Sequence, residues 1–137
     1  MKKILFAATL ALSSLVLSGC VMPQPPTQAE MASANYGELP ANYEALIQNF
    51  LYSNLKDPYT AQYRFLKPFK GYAQNGAWVQ SKESIKYGWI IPFYLNAKNS
   101  YGAYIGEKKY FFIYSNGRLY DVTLYTGFNG IHPAPNQ

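Results

Sequence analysis

Apolar positions in this chain follow three rhythms. They run almost unbroken from Ile4 to Leu17, recur at helical spacing between Ala41 and Leu55, and alternate in short runs from Ala61 onward. In the middle segment Tyr43, Leu46, Ile47, Phe50, Leu51 and Leu55 form one stripe, opposite Glu44, Gln48, Asn49 and Ser53. That spacing predicts an amphipathic helix over residues 41–55, entered after Pro40 and stopped by Asp57-Pro58. Alternation then predicts strands over residues 61–69, 86–98, 109–114 and 118–125. Asn75-Gly76 marks a turn and residues 78–80 a return strand. Pro92 lacks a ladder donor, so its part of residues 86–98 should be an edge, a bulge or a bend. Asn116-Gly117 between two alternating runs is a strong hairpin signal, because both positions must reach positive φ. The pattern as a whole reads as an α+β domain, one N-terminal amphipathic helix packed on a four-stranded antiparallel meander sheet. A single helix covers one sheet face. The other must be exposed, covered by a partner, or closed by curling of the sheet.

The first run belongs to a different problem. Lys2 and Lys3 precede it, small residues Ser18 and Gly19 follow it, and Cys20, the one cysteine, closes it. This is the layout of a removable export signal over residues 1–19. An uncleaved membrane helix needs about 20 predominantly apolar residues, whereas Ser13, Ser14, Ser18 and Gly19 dilute this stretch and Pro23 ends it without a basic flank. Leu17-Ser18-Gly19-Cys20 resembles the lipobox of bacterial lipoproteins. That resemblance implies lipidation of Cys20, cleavage after Gly19, and acylation of the new amino group. Two or more acyl chains anchor a protein stably where one does not. Val21, not aspartate, follows the cysteine, which by likeness to enterobacterial sorting implies the outer membrane, facing the periplasm. Residues 20–40, with Pro23, Pro25, Pro26 and Pro40, read as the lipidated cysteine and a flexible tether with a random-coil reach of about 25 Å. A short helix around residues 28–34 is a weak signal within it.

Without residues 1–19 the chain has ten basic and seven acidic residues, a net charge of +3. Only Lys67/Lys70 and Lys108/Lys109 cluster, so no nucleic-acid stripe is present. The anchor takes the only thiol, so the domain must be held by packing without disulfides. Fourteen tyrosines and eight phenylalanines suit half-buried strands. The same rings also offer contact area to a peptide or sugar at low entropy cost.

Catalytic sets are scarce. His132 is the only histidine and lies in the tail expected to be irregular, residues 127–137. Histidine triads and multi-histidine metal sites are therefore unavailable. Asp57, Glu83, Glu107 and Asp121 are isolated, and glycosidase chemistry needs two carboxylates about 5–10 Å apart. Gly102 and Gly106 lack the lysine and the strand–helix context of a phosphate loop. No cofactor or metal site is expected. Two local motifs remain. Leu55-Lys56-Asp57-Pro58-Tyr59-Thr60-Ala61 swings the chain from helix to sheet. Residues 96–106 form a polar, glycine-bearing loop framed by strands, where Asn96, Lys98, Asn99, Tyr101 and Tyr104 can converge as a binding loop. The alternative is a long hairpin connection with an aromatic plug.

At these two motifs the chain resembles a group of small uncharacterised proteobacterial lipoproteins, over about residues 42–120. That likeness carries no activity, ligand or site residue. A looser, fold-level likeness is to outer-membrane lipoproteins of the BamE/SmpA type. The reading that follows is a lipid-anchored envelope protein and non-enzymatic binding or assembly module. Its expected contacts are the membrane through Cys20 and an envelope complex or peptidoglycan. The rivals are a carboxylate hydrolase using Glu83, Glu107 or Asp121, and an inhibitor or immunity-type protein.

Overall fold

One twelve-residue strand organises the architecture. The computed structural model describes residues 24–75, 85–125 and 130–135. Within them lie helices α1 (Gln28–Ser33) and α2 (Tyr43–Tyr52) and strands β1 (Gln62–Phe65), β2 (Phe69–Gln74), β3 (Ile85–Asn96), β4 (Lys108–Ser115), β5 (Arg118–Asp121) and β6 (Ile131–Pro133). β3 is long enough to carry two partners on one edge. β2 pairs with residues 85–90 and β1 with residues 93–96, while β4 runs along the opposite edge. The order is β5-β4-β3-β2-β6, with β1 beside β3, and every pairing is antiparallel.

Pro92 shows why the edge is divided. It is buried in the central strand, and its carbonyl accepts the Leu66 N–H at 2.9 Å. A residue's N–H and C=O point to the same neighbour in an antiparallel ladder. The donor Pro92 lacks therefore faces the gap between β1 and β2. The expected edge or bend at Pro92 is corrected: the neighbouring strand breaks instead.

Both faces of the sheet are filled. On one, Ile91, Phe93, Leu95 and Phe112 pack beneath Ile47 and Leu51 of α2. Burying such side chains contributes about 1.5–3 kcal/mol each. On the other, Ala73, Ile90, Ile113 and Val122 form a second core without a helix, all fully buried. Gly71 and Gly88 face each other across β2 and β3. A Cβ on Gly71 would collide with the His132 carbonyl oxygen, and one on Gly88 with that of Tyr114. Glycine permits this close approach.

Several expectations change. The sheet has six strands, not four, and two short helices pack with it, not one. The run over residues 61–69 belongs to two strands, and the meander is broken by β6. Residues 127–137 are not wholly irregular, since Ile131–Pro133 pairs with Gly71–Ala73. The free tether shortens, because residues from Gln24 onward lie on the sheet. Gln74 Nε2 donates to the Gln24 carbonyl at 3.2 Å, Trp89 Nε1 donates to the Gly37 carbonyl at 3.1 Å, and Tyr36 meets Tyr87 edge-on. Thr27 and Glu30 form a capping box that starts α1, satisfying donors the first turn would otherwise leave open. Buried Met31 and Pro26 complete the docking. Residues 1–23, the expected return at 78–80, and Glu83 lie outside the described residues.

Candidate functional site

The chain's two local motifs meet at the Asn96 end of β3. After α2, Pro58–Thr60 form a single 3₁₀ turn, with proline at a position that needs no backbone donor. Across from it, the β3–β4 connection is a tightly built hairpin. Lys98 and Tyr104 bridge its arms. Asn99 Oδ1 accepts from the Tyr101 and Ala103 N–H groups at 2.9 and 3.1 Å, and Asn96 Oδ1 accepts from Gly106 N–H at 3.1 Å. Gly102 and Gly106 hold φ of +78° and +92°, where a side chain would be strained. The Tyr104 hydroxyl donates to the Thr60 carbonyl at 2.8 Å, joining motifs 44 residues apart.

Between them lies an open cleft of about 420 Å³ lined by Lys56, Asp57, Lys98, Asn99, Ser100 and Gly102, within the size range of small-ligand sites. Of the five residues expected to bind, Asn96 and Asn99 spend their side-chain oxygens building the loop. Lys98 lines the cleft with its ammonium 5.3 Å from the Tyr104 ring. Tyr101 projects outward, 95% exposed, and Tyr104 secures the hairpin to the turn. Tyr59, 86% exposed, stands beside Tyr52, which donates to it at 2.6 Å. That hydrogen bond, with lesser help from desolvation, holds the Tyr52 phenol above its ordinary pKa. Lys56, Asp57, Tyr59 and Ser100 were absent from the expected set. The signal for Lys56, Asp57 and Tyr59 was the Lys-Asp-Pro-Tyr turn, read as a mere change of direction, while Ser100 lies inside the loop already expected to bind.

At the base of the hairpin, Arg64 grips Glu107 with two hydrogen bonds of 3.1 and 2.7 Å and lies 4.1 Å over the Tyr94 ring. A second cleft, about 370 Å³, sits towards the other end of the sheet between Asn35, Tyr87, Asn116 and Tyr120. His132 is stacked on Tyr72. Among the described residues no three His, Cys, Asp or Glu side chains gather as a metal site, and no helix is long and apolar enough to cross a membrane. No protein-family model, curated protein or solved structure matches the chain.

Proposed function

We propose that this chain is a small lipoprotein, anchored in the outer membrane through Cys20 and facing the periplasm, that binds an envelope component without transforming it. One observation carries the reading: two motifs far apart in sequence build one exposed cleft lined by two lysines, and each motif carries an exposed tyrosine. Rigidly held loops are where binding groups concentrate. Exposed Tyr101 belongs to neither core, so burial does not explain it.

The hydrolase alternative has less support. Glu107 is engaged by Arg64, and Asp121 sits opposite Phe112, five residues further along β4. At about 3.3 Å per residue this separates their backbones by roughly 16 Å, beyond the roughly 5–10 Å that two cooperating carboxylates require. Asp121 is also committed to the Thr123 N–H at 2.9 Å.

The test is a pull-down from crosslinked membranes using wild type and Tyr101→Ala/Tyr104→Ala. Wild type should recover peptidoglycan fragments or an envelope protein, and the double variant should lose most of it. Equal recovery by both, or none by either, would overturn the proposal.

A further inference from the structure

We infer that the cleft between Lys56 and Lys98 recognises a carboxylate-bearing saccharide. The inference deepens the binding reading and rests on it. The lining is rich in donors: two ammonium groups, the Ser100 hydroxyl and the Asn99 amide nitrogen, against one carboxylate, Asp57. Ammonium groups meet an anionic substituent with charge-assisted hydrogen bonds. Asp57 accepts from hydroxyls, which a saccharide carries in number. Tyr101, between the lining residues Ser100 and Gly102, and Tyr59, two residues beyond Asp57, have exposed rings, amphipathic contact area suited to a ligand apolar on its ring faces and polar at its edges.

Two other occupants fit less well. A peptide captured as an added strand needs free backbone donors and acceptors. Here the N–H groups of Asn99, Tyr101, Gly102, Ala103, Ile105 and Gly106 are all satisfied within the hairpin. Recognition must therefore run through side chains. A membrane surface is disfavoured by position. The N-terminal segment docks where Gln74 pairs with Ile85, and the cleft lies beyond Asn96 at the far end of the same strand. Twelve residues of strand separate the two ends by about 36 Å.

The experiment uses the full mature chain in detergent micelles, titrated by calorimetry with tetragalacturonic acid, its methyl ester and a tetraglutamate peptide. The acid should bind and weaken as salt rises, while the ester and the peptide bind much more weakly. Lys56→Gln and Lys98→Gln should each lower affinity about 10- to 100-fold, with circular dichroism matching wild type. Lys56 is exposed, so its variant remains informative if Lys98→Gln disturbs the hairpin. Equal binding of the ester removes the carboxylate from the inference, and equal binding of the peptide removes the saccharide. Either result overturns it, as does failure of the acid to bind. If the acid fails while the Tyr101→Ala/Tyr104→Ala pull-down still loses its partner, the binding reading stands and the acidic-saccharide class falls.

Discussion

Arg64 and Glu107 are held together by a fork of two parallel hydrogen bonds across 43 residues of sequence. Both side chains are about half exposed, so water screens the pair and its contribution to stability is small. Its effect is geometric: it ties β1 to the residue after Gly106. The hydrogen bond from Arg64 pulls the Glu107 carboxyl below its ordinary range, and Coulombic attraction adds to this against a desolvation cost. Because the folded value lies below the unfolded one, the linked stabilisation is present at neutral pH. It is lost as pH falls through the folded value. Arg64→Ala should return the Glu107 titration to the ordinary carboxylate range, measured by carboxyl carbon NMR. An unchanged midpoint would show that the pair does not persist in solution. At the same scale, Asn96 and Asn99 illustrate how amides in a loop serve its shape before they serve a ligand.

Among the elements, β3 holds the domain together, and Phe93 is its centre. Its ring lies 5.3–6.1 Å from those of Phe65, Tyr110, Phe112 and Tyr63, and it is fully buried. Phe93→Ala should cost about 3–5 kcal/mol in urea unfolding, a large share of the roughly 5–15 kcal/mol that holds a domain folded. Exposed Tyr101→Ala should stay within about 0.5 kcal/mol of wild type. Equal losses would mean that the hairpin is part of the core. What the sequence made legible was local. The stripe of α2 and the hairpin at Asn116-Gly117, with φ of 50° and 75°, follow from periodicity and turn chemistry. The glycine-bearing loop was visible for the same reason. β6 was not: three residues ending in proline carry no alternation of their own, and Tyr72 opposite His132 supplies the order. β5 is shorter than expected because Thr123 takes over from the ladder, its hydroxyl oxygen accepting the Phe111 N–H at 3.1 Å. The docking of residues 24–39 was hidden by their prolines, which suggest a linker whether or not a surface awaits them. Half of the cleft was hidden likewise, since the Lys56–Tyr59 turn becomes part of a site only when Tyr104 reaches Thr60.

For the whole molecule, the proposed anchor has a direct test. Cys20→Ser should leave an unlipidated precursor that no longer partitions with outer-membrane fractions, and unchanged partitioning would refute the anchor. If the anchor holds, the docked segment sets the reach of the cleft. Only Val21, Met22 and Pro23 lie between Cys20 and Gln24, so the chain bridges at most about 14 Å there. A slack tether would let the domain roam a dome above the bilayer. A short leash on a docked strand end instead holds that end within about 14 Å of the bilayer and bounds how far out the opposite end can stand. The search for a partner becomes a patrol in two dimensions, within a layer whose upper limit is set by the length of β3.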